Sequence, residues 1–248
     1  MVSVGASSHE RLVGSIQHAL QAVGDPERAV QQQAYMKSAM PYRGVPTDGV
    51  RRIVAAEIDR PAHRLAERAD WEAAVLGLWD AATHREERYA AIAIARHRAA
   101  HRFRADGALG MYRYLVATGA WWDLVDEVAT HLVRDELLAA PERVAPDMRA
   151  WAHDDDLWVR RTAILSQIGT RERVDLDLLA DVIEPNLERS SLADESGRHD
   201  FFIRKAIGWA LRDAARRHPD WVRAYVGEHR DRMAGLTVRE AFKHLADR

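Results

Sequence analysis

The chain has 248 residues, 47% of them hydrophobic and 30% charged, no cysteine, and a formal net charge of -2. This length and balance suit a folded chain with a substantial core and exclude intrinsic disorder; the lack of cysteine excludes disulfides, zinc-thiolate sites, iron-sulfur clusters and thiol nucleophiles. The charge excludes a uniformly basic nucleic-acid-binding domain, so any basic surface must be local.

In chain order, nearly every segment has helical period. Ser7 and Glu10 have the spacing of a capping box, and Leu12, Val13, Ile16, Leu20 and Val23 follow as an apolar stripe. Asp25-Pro26 reads as N-cap and first residue of a second helix, which carries Tyr35, Met36 and Lys37 and ends before Pro41. Met40 to Pro46 is a rigid connector, after which Thr47 caps a helix through Ile58. Further helices are predicted over 62–67, 70–82, 86–100 and 107–118. In the second half they follow over 121–139, 146–153, 156–168, 176–188, 200–217, 219–229 and 238–245. Pro146 is expected at a helix start and Pro185 as a kink. Ser190 to His199 is polar and aperiodic, a mobile loop rather than a linker. Short connectors without a break in composition predict one domain over 1–248, an all-α stack of helix pairs. At roughly 40 residues per pair this is the HEAT or armadillo range, about six repeats.

No run approaches the roughly 18 apolar residues of a membrane span, and the N-terminus lacks a charged-then-apolar signal pattern, so a cytoplasmic location without membrane contact is expected. The phosphate-binding, dinucleotide and nucleophile-elbow motifs are absent from the sequence. His97 and His101 stand four apart, as if on one helix face. With Arg96, Arg98, Arg102 and Arg104 around them and no third ligand, they read as a solvated basic face, and no metal is expected. Asp154, Asp155 and Asp156 read as a loop and an N-cap.

Three places are unusual for a plain helix stack. In W-W-D-L-V-D, Trp121 falls on the apolar stripe with Leu124, Val125, Val128 and Leu132, while Trp122 and Asp126 lie one turn apart on its flank. That flank is either ordinary packing or a site where a flat apolar surface meets a carboxylate. Arg161 falls on the stripe of Leu157, Ile164 and Ile168, so its guanidinium needs an anion: an internal acid, a ligand, or water reached by snorkelling. Trp209 lies off the stripe of Ile203, Ala206, Ile207, Ala210 and Ala214, beside Phe202 and Lys205, facing either a neighbouring repeat or a ligand.

Taken together, Y-M-K from Tyr35, W-W-D-L-V-D from Trp121, L-W-V-R-R-T-A-I-L from Leu157 and F-F-I-R-K-A-I-G-W-A-L-R from Phe201 resemble the AlkD family of DNA-alkylation-repair glycosylases, over nearly the whole chain. The resemblance implies an all-α, right-handed superhelix of HEAT-like repeats with a concave, basic DNA-binding face. It implies a DNA glycosylase, in base excision repair, hydrolysing the N-glycosidic bond of N3- and N7-alkylated purines in duplex DNA without flipping the base into a pocket. Asp126 matches the catalytic carboxylate, Trp122 and Trp209 the tryptophans against the deoxyribose, Arg161 the arginine on the backbone phosphate, and Tyr35 an aromatic of the lesion-binding face. Lys37, Arg43, Arg160, Phe202, Lys205 and Arg212 are further expected DNA contacts. Such lesions are cationic, so the base leaves without protonation, and the enzyme has mainly to stabilise charge on the sugar and place a water. No cofactor is expected. The partner is double-stranded DNA containing alkylated purines, the protein a monomer, cytoplasmic and on the nucleoid when bound to DNA. The alternative is a non-catalytic helical-repeat module that binds damaged or branched DNA.

Overall fold

A computed structural model describes residues 7–104, 107–191 and 200–245, and among these every regular element is helical. The all-α expectation holds. The chain divides into two compact units, Met1–Ala108 and Leu109–Arg248.

In the first unit, α1 (Ser8–Ala22) opens on the expected capping box: the Ser7 hydroxyl accepts from Glu10 N at 3.3 Å and the Glu10 carboxylate from Ser7 N at 2.7 Å. Leu12, Ile16 and Leu20 form its buried stripe. Asp25 caps α2 (Pro26–Met36), accepting from Arg28 N at 3.0 Å. Lys37 adopts the left-handed region, φ 49°, and ends α2 well before Pro41. The connector that follows needs glycine at position 44, because φ is 84° and a Cβ there would sit 2.0 Å from Asp25 O. α3 (Thr47–Ile58) starts with Pro46 as its cap and Thr47 as its first helical residue. α4 (Arg68–Asp80) and α5 (Arg85–Arg96) pack on each other and on α1 and α3, burying Trp71, Leu78, Trp79, Ala91 and Ile94. Buried Glu86 of α5 fastens the connector: its Oε1 accepts from the backbone N–H of Arg43 (3.0 Å), Gly44 (2.8 Å) and Val45 (3.1 Å).

Two predicted helices of this unit fail. The helix expected over 62–67 is only a 3₁₀ turn, Pro61–His63, followed by extended chain. Arg102 Nη2 donates to Leu65 O (2.8 Å) and Ala66 O (3.3 Å), taking carbonyls that a helix would use internally. The helix expected over 86–100 stops at His97, whose ψ is 144°; a 3₁₀ turn (Arg98–Ala100) and α6 (His101–Arg104) follow. His97 and His101 therefore share no helix face, and His97 Nδ1 accepts from Ala99 N at 3.3 Å. No group of three His, Cys, Asp or Glu able to hold a metal occurs among the described residues.

In the second unit α7 (Leu109–Gly119) is followed by one long helix in three parts: α8 (Trp122–Glu127), a π-helical stretch (Val128–Val133) and α9 (Arg134–Ala139). α10 (Pro141–Trp151) begins at Pro141, so Pro146 lies inside the helix rather than at its start. α11 (Leu157–Leu165) is capped by Asp156, which accepts from Trp158 N at 2.7 Å. α12 (Leu176–Ile183) gives way at Pro185 to a 3₁₀ turn and α13 (Leu187–Ser191), the break expected there. The loop expected over Ser190 to His199 lies, from 192 onward, outside the described residues. α14 (Phe201–Ala214), α15 (Pro219–Glu228) and α16 (Gly235–Ala241) complete the unit. α11 packs against α7, α8, α10 and α14, and α14 against α16, where Gly208 lets the helices approach so closely that a Cβ would meet Glu240 Cβ at 2.5 Å. Among the described residues no helix is long and apolar enough to cross a membrane.

Candidate active site

The site is built on α8, α11 and α14. Leu124 and Val125 are fully buried and fix the rotation of α8, which leaves Trp122 and Asp126, one turn apart, half-buried on its flank. Trp121 departs from expectation. It precedes the helix in extended conformation (φ -154°, ψ 143°) and joins an aromatic cluster, its ring 6.0 Å from Trp158 and 5.6 Å from Phe202. Two residues after Asp126, at Val128, the helix widens to π geometry. The Thr130 hydroxyl, in this stretch, donates to Asp126 O at 2.7 Å, and π-stretches inside α-helices frequently mark functional sites.

Arg161 lies on the inward stripe of α11, only 4% exposed. Its Nε donates to Asp126 Oδ1 at 2.7 Å and its Nη2 to Oδ2 at 2.8 Å, a parallel bidentate pair. Nη1 donates to the carbonyl of Phe202, at the start of α14. The anion demanded by a charge on an apolar stripe is thus an internal acid. As a phosphate contact Arg161 has little open surface here; it holds the carboxylate. Asp126, whose side chain is 15% exposed, is pushed above the usual aspartate pKa by burial, against the opposing pull of Arg161, while Asp123 and Glu127 add a smaller push upward. Each carboxylate oxygen retains a lone pair beyond the one Arg161 uses.

Trp209 is half-buried on α14, seven residues from Phe202 and so on the same helical face. Phe202 itself is half-buried and packs 4.9 Å from Trp158, which corrects its expected role as an exposed contact; Phe201, 47% exposed, is the ring that solvent reaches. Arg160 is also corrected. It is 3% exposed and donates inward, from Nη1 to Asp154 O (3.0 Å) and Asp155 O (2.9 Å) and from Nη2 to Asp200 (2.9 Å). Lys205 (3.0 Å) and Arg212 (2.6 Å) both pair with Glu240, an acid that no spacing along α14 could reveal. Their half-buried cations hold the Glu240 carboxyl below its ordinary value, the Lys205 hydrogen bond first. In the first unit, Tyr35 is 78% exposed, Lys37 is exposed at the end of α2, and half-buried Arg43 donates to Glu87 at 2.6 Å.

The arrangement places a carboxylate of fixed orientation at a partly open surface, an indole one turn away, and a buried arginine that ties it to α14. Such a group can stabilise positive charge and orient or deprotonate water. Residues 16–245 match the model of the DNA alkylation repair enzyme family. A solved structure described as a predicted DNA alkylation repair enzyme from Enterococcus faecalis superposes with a TM-score of 0.76 and 26% identity, covering 91% of this chain and 98% of that one. Among proteins of curated function none matches. With its all-α fold and a match over residues 16–245, the chain belongs to the DNA alkylation repair enzyme family.

Proposed function

We propose that the chain is a monofunctional DNA glycosylase that hydrolyses the N-glycosidic bond of N3- and N7-alkylated purines in duplex DNA. The observation that carries this reading is the bidentate Arg161–Asp126 pair at 2.7 and 2.8 Å, which aims one buried-edge carboxylate at the surface beside Trp122. As the C1′–N bond breaks, its electron pair neutralises the cationic base, which needs no added proton. Positive charge passes to the sugar, where Asp126 and the negative faces of Trp122 and Trp209 stabilise it. Water adds its oxygen to C1′ and gives up a proton, to Asp126 or to solvent, leaving an abasic site. Exposed Tyr35 and Lys37 would contact the duplex, and Lys205 and Arg212 would do so by exchanging Glu240 for phosphate.

One observation favours a rival. Both Asp126 oxygens already accept from Arg161, as a purely structural ion pair in a non-catalytic DNA-binding module would require. Release of 7-methylguanine and 3-methyladenine from methylated duplex DNA, measured for wild type and Asp126→Asn in parallel, decides. Release by wild type, with a loss of at least 100-fold in the variant (about the scale of a general base), is expected. Salt-sensitive DNA binding without release by wild type would establish the rival.

A further inference from the structure

Away from Asp126, the second unit has a cavity of about 800 Å³ lined by Arg134, Arg171, Arg216, Arg217 and His244, with Asp213 as its acid. Arg134 pairs with Asp135 (2.8 Å) and Arg217 with Glu172 (2.8 Å), but Arg171 and Arg216 have no acidic partner among the described residues. Asp213 is occupied as well, its carboxylate accepting from Gly169 N at 2.8 Å and so holding the loop that carries Arg171. Arg171 adopts the left-handed region, φ 59°, which an arginine rarely does; such outliers persist where the surroundings impose them and concentrate at ligand clamps. Two uncompensated guanidinium groups in an open trough are a receptor for anionic oxygens.

The trough is continuous with the α14 face already described. A smaller cavity, about 190 Å³, is lined by Trp209, Arg212 and Lys243 and shares Asp213, Arg216 and His244 with the larger one. At about 100° per residue, Phe202, Lys205, Trp209, Arg212 and Arg216 fall within one quadrant, the last in the turn after the helix. From Phe202, which receives Arg161, to Arg216 is 14 residues by their numbers, roughly 20 Å at 1.5 Å per residue. That length corresponds to about six base-pair steps of 3.4 Å along a duplex.

We propose that this trough is a remote phosphate clamp: Arg171 and Arg216 hold the DNA backbone several base pairs to one side of the position that Asp126 addresses. The inference rests on the glycosylase reading for where the lesion lies, but its test does not. Binding of undamaged DNA is measured by fluorescence anisotropy against salt concentration, for wild type and Arg171→Gln/Arg216→Gln, on a duplex of about 24 base pairs and on a hairpin of about 4, whose stem of roughly 10 Å is too short to reach from the Asp126 end of α14 to the clamp. On the long duplex the variant loses about two units of salt slope, so that the affinity lost between 50 and 200 mM salt shrinks roughly 12-fold. On the hairpin the two proteins behave alike. Equal slopes on the long duplex, the same deficit on both lengths, or no binding of either DNA by wild type overturns the clamp. Wild type that binds with the expected slope but releases no base sinks the glycosylase reading and leaves the clamp standing.

Discussion

Arg161→Met tests the centre of the site by removing a buried guanidinium while keeping most of its volume. The loss has two parts. Asp126 keeps its buried position without a counter-ion, and breaking a buried pair in this way costs about 3–5 kcal/mol. The carbonyl of Phe202 loses its donor, worth about 1–3 kcal/mol when buried. The two are not additive, and Asp126 is 15% exposed, so water recovers part of the loss; about 3 kcal/mol is expected. For a chain of this size that is a drop in Tm of roughly 10 °C. The deficit must also depend on pH. With Arg161 absent, burial raises the Asp126 pKa further above its unfolded value, so the folded state prefers the neutral acid. Stability is then fully present below the ordinary aspartate range and is lost as pH rises through the folded pKa. Thermal unfolding followed by circular dichroism between acid and neutral pH, for Arg161→Met, Asp126→Asn and the double variant, measures both effects. The double variant should recover at least about 1 kcal/mol relative to the sum of the singles, because neither partner is left charged and alone. Additive losses, or a single-variant loss that does not grow with pH, would refute the pairing argument.

Base release should fall as pH drops through the Asp126 pKa, because the reaction uses the carboxylate. Burial places that acid limb above the ordinary aspartate value, so single-turnover rates that stay flat down into that ordinary range would contradict it. Gly208→Ala should cost about 1–3 kcal/mol, because its methyl meets Glu240 Cβ at 2.5 Å and forces α14 and α16 apart; unchanged denaturant unfolding would show that the contact yields cheaply.

Where a helix has a strong stripe and a cap, the sequence is enough to place it: Ser7 with Glu10, Asp25 with Pro26, and Asp156 behave as their chemistry dictates. Several of the errors share one cause, a partner distant in sequence. The chain after His63 stays out of a helix where Arg102 takes the carbonyls of Leu65 and Ala66, and Lys205 and Arg212 are engaged because Glu240 arrives on another helix. At the site, periodicity shows that Arg161 needs an anion and that Trp122 and Asp126 share a flank. It cannot show that the two needs answer each other, 35 residues apart. Neighbouring Arg160 illustrates the same limit in reverse: its expected place is among the DNA contacts, and Asp154, Asp155 and Asp200 engage it instead.

The π-stretch after Asp126 has a consequence for the length of the chain. A π-bulge is an α-helix carrying one residue too many, so Val128–Val133 works as a phase shifter. Residues before it and residues after it face the core in registers that differ by about a third of a turn. Trp122 and Asp126 obey the first register, and Leu137, buried in α9, obeys the second. Loss of a single residue here would leave a more regular helix, but only one of the two registers could remain seated. Either Asp126 swings away from Arg161 or the second half of the helix loses its core. The surplus residue is what allows one continuous rod to satisfy a packing surface at one end and an ion pair at the other.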